Sequence, residues 1–168
     1  MRVGVTGHQR LDASIGWASI RRQVAKHVRD AGTPLIGLSS LAQGADQVFA
    51  QEILKLGGDL IAVLPFQNYR DVLPVANRRL FDKLLSQCVE TVTLRSGTSN
   101  EDSYVSAGRY IVNHCDLLLA IWDGRPAAGR GGTGDVVNHA LRAGRAVIVV
   151  DASLWRSNAI LPVRTEVP

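Results

Sequence analysis

Asp116 to Val137 reads DLLLAIWDGRPAAGRGGTGDVV. Within it, Leu117 to Trp122 is an unbroken apolar run of strand length, and Asp123-Gly124 ends it where a loop rich in glycine and proline begins. A run apolar at every position predicts a strand buried on both faces, and therefore central in its sheet. Beyond the loop, Gly131-Gly132-Thr133 sits just before Asp135 to Leu141, which reads as a helix. A helix entered through glycines leaves backbone N–H groups free, and the positive end of its dipole favours an anion such as phosphate. The stretch is either a phosphate cradle or a tight strand-to-helix turn that binds nothing.

The rest of the chain supplies the sheet that such a strand needs. Arg2 to Thr6 reads as a first strand, followed by the loop Gly7-His8-Gln9-Arg10-Leu11-Asp12. Ile15, Ile20, Val24, Ala25 and Val28 recur at helical spacing from Ser14 to Ala31, with Gly32 as a stop. Pro34 to Leu38 is a second strand ending in Ser39-Ser40, and Gly44-Ala45-Asp46 leads into a helix through Leu54. Asp59 to Leu64 gives a third strand, closed by Pro65-Phe66. A helix from about Arg70 to Gln87 tolerates Pro74 only in its first turn or at a break. Val89 to Leu94 is a fourth strand, Ser103 to His114 a helix feeding the central strand, and Ala146 to Val150 a sixth strand. The segment from Asp151 to Pro168 has no clear period and is expected to be partly helical, packed on the sheet or on a neighbouring subunit.

Apolar strands alternating with helices predict a single-domain, Rossmann-like doubly wound fold over residues 1–150: a mostly parallel sheet of about six strands with helices on both faces, followed by an extension over 151–168. In such sheets ligands sit at the carboxyl ends of the strands. Those ends gather Gly7 to Arg10, Ser39 to Asp46, Pro65-Phe66, Arg95 to Glu101 and Asp123 to Thr133 at one edge.

Composition sets the outer bounds. A chain of 168 residues with 46% hydrophobic residues can bury a core without disulfides or metal. No apolar run approaches the ~20 residues of a membrane-spanning helix, and MRVGVTG enters a strand without the features of a signal peptide, so a cytoplasmic, membrane-free protein is expected. Cys88 and Cys115 lack metal-ligand spacing, and neither a metal site nor a disulfide is expected. The net charge of +4 and pI near 9.5 suit an anionic ligand or nucleic acid. The basic residues are dispersed over helix faces, with no aromatic residues between them as a single-strand groove would have.

With these residues laid out, the chain resembles the SLOG superfamily. This Rossmann-like group joins the LOG-type nucleotide phosphoribohydrolases to the DNA-processing protein DprA. Ser39 to Asp46, SSLAQGAD, is similar to the DprA-type SGLARGID, with Ser40 in place of a glycine. Arg109 to Asp116, RYIVNHCD, resembles RIIAGLSD, with arginine and aspartate at the same separation. Gly131-Gly132-Thr133 corresponds to the turn written PGGxGTxxE in LOG proteins. Val136 occupies the position of that motif's catalytic glutamate and can neither transfer a proton nor act as a nucleophile. Asp135 is adjacent, but one helical residue turns a side chain by ~100°.

The resemblance implies binding of a nucleotide or nucleotide-derived small phosphorylated ligand, with no further cofactor required. The expected ligand-binding residues are Gly7, His8, Gln9, Arg10, Ser39, Ser40, Gly44, Asp46, Arg109, Asp123, Gly124, Gly131, Gly132 and Thr133. Asp46 is read either as a ribose contact or base, or as a helix-start carboxylate. Asp123 either accepts from a ligand or caps its loop. Arg109 pairs either with a ligand phosphate or with an internal carboxylate such as Asp116 or Glu101. His114 and His139 are read as structural or surface residues. An alternative is LOG-like N-glycosidic hydrolysis or transfer, with Asp135, Asp123 or Asp46 replacing the missing glutamate. DprA-like single-stranded DNA binding ranks below it. The resemblance further implies a homodimer or tetramer built through helices beside the sheet.

Overall fold

A computed structural model describes residues 1–11, 16–95, 99–126, 129–152 and 157–160. Seven strands form one sheet: β1 Arg2–Gly7, β2 Ile36–Ser39, β3 Asp59–Leu64, β4 Glu90–Thr93, β5 Leu117–Trp122, β6 Ala146–Asp151 and β7 Ser157–Ile160. The helices are α1 Trp17–Asp30, α2 Ala45–Lys55, α3 Tyr69–Val72, α4 Val75–Leu85, α5 Asn100–His114 and α6 Thr133–Arg142. The strand order is β4-β3-β2-β1-β5-β6-β7, parallel throughout except for β7 against β6.

β5 lies where its apolar run places it, between β1 and β6, with Val5 beside Leu119 and Leu119 beside Ile148. Successive strand residues point to opposite faces, so the run feeds two cores. Leu119 and Ile121 join Val3, Val5 and the inward faces of α1, α2 and α4, where Ile20, Val24, Phe49 and Phe81 are buried. Leu118 and Ala120 join α5 and α6 through Ile111, Val112, Val137 and Ala140. Each large side chain withdrawn from water in this way contributes roughly 1.5–3 kcal/mol.

The chain winds outward from β1 through β2 and β3 to β4, then α5 carries it back to β5 on the far side of β1. The order reverses between β1 and β5, and a crevice opens at the carboxyl ends of these strands.

The sheet has seven strands, because Ser157–Ile160 pairs antiparallel to β6 (Val147 opposite Ile160) where partial helix was expected; residues 153–156 and 161–168 lie outside the described residues. The helix expected from Arg70 to Gln87 is two helices. Proline has no N–H and pushes the preceding residue to extended backbone. Leu73 is extended (ψ 146°), and Pro74 stands at the entrance of α4.

Candidate functional site

The crevice is a cleft of about 560 Å³, bordered by the ends of β1, β2, β3 and β5, by one face of α5 and by the start of α6. From β1, Gly7 lets the strand end approach the start of α2. A Cβ there would stand 2.6 Å from the Ala45 Cβ and 2.8 Å from the Ile121 Cβ. The backbone of His8 then ties three segments together. Its N–H donates to Ile121 O (3.0 Å), and its carbonyl accepts from Ala45 N (3.1 Å). Its Nε2 lies 3.2 Å from Asp123 N, which donates to it, and 3.2 Å from Asp123 Oδ1. Asp123 also accepts from Arg125 N (3.0 Å), an Asx-type turn that orders the loop leaving β5.

At the end of β2 the chain turns through Leu41, fully buried at φ 57°, a conformation unusual for a bulky residue. The turn is held by Asp46 from the first turn of α2. Asp46 Oδ2 accepts from Ser39 Oγ (3.0 Å) and Ser40 N (2.9 Å), while Ser39 Oγ accepts from Leu41 N (3.0 Å). Burial raises the Asp46 carboxyl to about 6, against the opposing pull of the Ser39 hydroxyl and the nearby backbone N–H groups. Gly44, which enters α2 at φ 83°, has no room for a side chain: a Cβ would stand 2.5 Å from Gln9 O and 2.6 Å from His8 O.

The cleft floor is aromatic. Tyr69 packs edge-on against Phe66 (centroids 5.6 Å apart) and Tyr104 (6.4 Å). Burial, and next the charge of Asp46, raise the Tyr69 phenol far above its ordinary value, so it remains a protonated donor. Tyr104 comes from α5, whose start is capped by Ser99 Oγ accepting from Asp102 N (3.1 Å).

Opposite lies the glycine-rich turn. Gly131 has φ 80°, and a Cβ on it would stand 2.8 Å from Val105 N. Helix α6 starts at Gly132 without a side-chain cap, and the N–H groups of Thr133 and Gly134 meet no acceptor among the described residues. Val136 borders the cleft and is buried against Gly108 of α5; a Cβ on Gly108 would come within 2.7 Å of its Cγ2. Asp135 is turned to the other side of α6 and accepts from Gly131 N (3.0 Å).

Of the residues expected from sequence, Gly7, His8, Gln9, Ser40, Asp46, Asp123, Gly131, Gly132 and Thr133 border this one cleft. Arg10, Ser39, Gly44, Gly124 and Arg109 do not. Ser39 is fully buried behind Asp46, Gly44 lies under His8 and Gln9, and Arg10 and Gly124 are exposed. Arg109 opens on a separate notch with Asp135, and it has no ion pair with Asp116 or Glu101. Tyr69 and Tyr104 were not singled out. Tyr104, Ala107 and Ile111 are three and four residues apart, a spacing that puts Tyr104 on the sheet-facing side of α5. Among the described residues no His, Cys, Asp and Glu side chains cluster so as to hold a metal ion, and no helix is long and apolar enough to cross a membrane.

No family model and no curated protein matches the chain. Solved structures do match. The chain is similar to DNA processing protein A (DprA) from Streptococcus pneumoniae, at TM-score 0.61 and 22% identity over 88% of this chain and 49% of that one. It is similar to DprA from Helicobacter pylori, described for its single-stranded DNA binding mode, at 0.64 and 14% over 89% and 64%. It is also similar to the molybdenum cofactor binding protein of Rippkaea orientalis, at 0.57 and 17% over 88% and 74%. The chain thus spans about half of the first protein and under two thirds of the second. These likenesses establish the fold: a Rossmann-like α/β domain of the kind found in DprA, as the sequence reading expects.

Proposed function

We propose that the protein binds a nucleotide or nucleotide-derived small molecule in the cleft. The phosphate sits at the start of α6, and the sugar or base lies toward Gly7 to Gln9, Ser40 and Asp46. One observation carries this reading: Gly7, Ser40, Asp46, Asp123 and Gly131 to Thr133 border a single cavity of about 560 Å³ at the crossover of the sheet. Small-ligand sites have volumes of this order, roughly 300–1,000 Å³. Polarity divides the cavity. The uncapped start of α6 offers N–H groups and the positive end of a helix dipole to an anion. The Asp46 carboxyl on the opposite side suits a hydroxyl donor, and Tyr69 and Tyr104 offer an apolar floor for a ring. The neighbour named for binding the molybdenum cofactor supports a small-ligand role on this fold.

Calorimetric titration with nucleoside mono-, di- and triphosphates tests the proposal. A saturable, stoichiometric heat is expected, weakened by Gly132→Asp, which places a carboxylate where the phosphate would sit. No binding, or binding indifferent to that substitution, rejects it.

A second reading, cleavage or transfer of an N-glycosidic bond, is favoured by Asp46. Its carboxyl borders the cleft and titrates at about 6, close to the range a general acid or base uses. Asp135 faces away from the cleft, and Asp123 is engaged by Arg125 N. Incubation of concentrated protein with nucleoside monophosphates would release free base, and Asp46→Asn would abolish the release; no base on chromatography removes this reading. Single-stranded DNA binding is favoured by the likeness to the Helicobacter pylori DprA. It predicts an oligonucleotide mobility shift that disappears with salt.

A further inference from the structure

A second depression, of about 260 Å³, opens on the far side of Gly131, between α5 and α6. Asp135, His139 and Arg142 face it from α6 at spacings of four and three residues, Arg109 from α5, and Arg130 from the glycine-rich turn. Three guanidinium groups therefore converge where α6 supplies one carboxylate. That carboxylate is engaged by Gly131 N, and Arg130 pairs with Asp102 (3.1 Å) at the edge. Arg142 uses its Nε on Asn138 O (3.2 Å), which leaves its two terminal nitrogens without a partner among the described residues. Among the described residues Arg109 has neither an ion pair nor a side-chain hydrogen bond. Two guanidinium groups with free N–H donors on one notch offer the kind of donors that the oxygens of a phosphoryl group accept from.

We propose that Arg109 and Arg142, with His139 on the same notch, form a second oxyanion site that takes a phosphoryl group of a small molecule. His139 reports the field in the notch. Burial, and then the charges of Arg109 and Arg142, hold its imidazole below the ordinary value, while Nε2 lies 3.3 Å from Asn113 Oδ1. Neutralising the two arginines with an anion lifts the part of that depression that their charges cause and leaves the part due to burial. The notch is separated from the cleft by Gly131 and Val136, which border both. A phosphoryl group can therefore arrive as the distal phosphate of a cleft ligand or on a separate molecule. The site stands whether or not the cleft binds a nucleotide.

The histidines make the two sites separately readable, His8 in the cleft and His139 in the notch. In histidine-ring NMR of the full chain, inorganic phosphate is expected to move His139 saturably and raise its pKa. In an Arg109→Gln, Arg142→Gln double variant, both arginines being exposed, the midpoint should weaken by roughly tenfold or more while the fold and any His8 response persist. Adenosine mono- and diphosphate separate the sources. A diphosphate that moves His8 and His139 at one midpoint, where the monophosphate moves His8 alone, assigns the phosphoryl group to the cleft ligand. A His139 response to inorganic phosphate that is independent of cleft occupancy assigns it to a separate molecule. The proposal is overturned if none of the three probes moves His139 saturably, if the double variant responds as the parent does, or if only an oligonucleotide elicits the response. A silent His8 with a responsive His139 would overturn the cleft reading and leave this one standing.

Discussion

Helix α2 is entered through Gly44 and carries Asp46 at its second position; helix α6 is entered through Gly132 and carries Asp135 at its third. Both helices open on the same cleft, and a single residue of helical phase, ~100°, separates their carboxylates. Asp46 turns inward, braces the turn after β2 through Ser39 and Ser40, and makes its side of the cleft acidic. Asp135 turns outward to Gly131 N and leaves Val136 facing the cleft. A third helix start nearby, that of α5, is closed by its own Ser99. Of the three, only α6 combines a glycine at the cap with no side-chain acceptor and a carboxylate turned outward. The difference lies in what each helix start turns toward the cleft: unfilled N–H groups at α6 and a carboxylate at α2.

The largest effect is expected where the α2 start is wedged under the loop after β1. Gly44→Ala combines left-handed backbone with overlap on the Gln9 and His8 carbonyls, neither of which is a flexible side-chain end. A loss of about 3 kcal/mol is expected, measured by urea denaturation. A loss below ~1 kcal/mol would mean that the β1 loop and α2 are not rigidly joined.

Next is the titration of Asp46. Its folded pKa, about 6, lies above its unfolded value, so folding takes up a proton between roughly pH 4 and 6. The sign follows: stability contributed by the protonated form is present below the unfolded pKa and is lost as pH rises through about 6. The expected loss is about 3 kcal/mol. Glu52, lowered on balance by Lys55 and Arg21 against its burial, has the opposite sign, with stability lost as pH falls through its folded value. His27 and His139, held low chiefly by burial, favour folding more as pH rises below 6.5. The informative quantity is therefore the difference between parent and Asp46→Asn, in which the downward slope between pH 4 and 6 should vanish. An unchanged slope would show that the inward carboxylate titrates as an ordinary surface acid.

Gly132→Asp bears directly on the comparison, because it gives α6 the cap that α5 already has. Gly132 is extended (φ −71°, ψ 173°), the conformation of a normal capping residue, so α6 should be retained or gain a few tenths of a kcal/mol in thermal unfolding. The same change should weaken nucleotide binding roughly tenfold or more, through lost N–H groups and like-charge repulsion. The smallest effect is expected at α5, where Ser99→Ala removes an exposed cap worth about 1 kcal/mol and leaves ligand affinity unchanged.

The parallel sheet was legible because Leu117 to Trp122 and its counterparts are apolar in short runs bounded by glycine, proline and polar residues, which few other structures satisfy. The glycine-rich entrance of α6 was legible for the same reason. Side-chain direction at the edge was not. Ser39 and Ser40 are neighbours, but at a strand end successive side chains point to opposite sides, so Ser39 is buried against Asp46 while Ser40 borders the cleft. Arg109 and Asp135 sit on the outer faces of their helices, which a motif match does not register. β7 escaped notice because four residues, Ser157–Ile160, are too few for a period, and their strand character comes from pairing with β6.

At the opposite end of the sheet, β4 pairs only with β3 among the described residues and has just four residues, Glu90, Thr91, Val92 and Thr93. A strand this short, polar and charged gives an incoming chain little backbone to latch onto. Ribbon-like growth by strand addition at that flank should therefore be disfavoured.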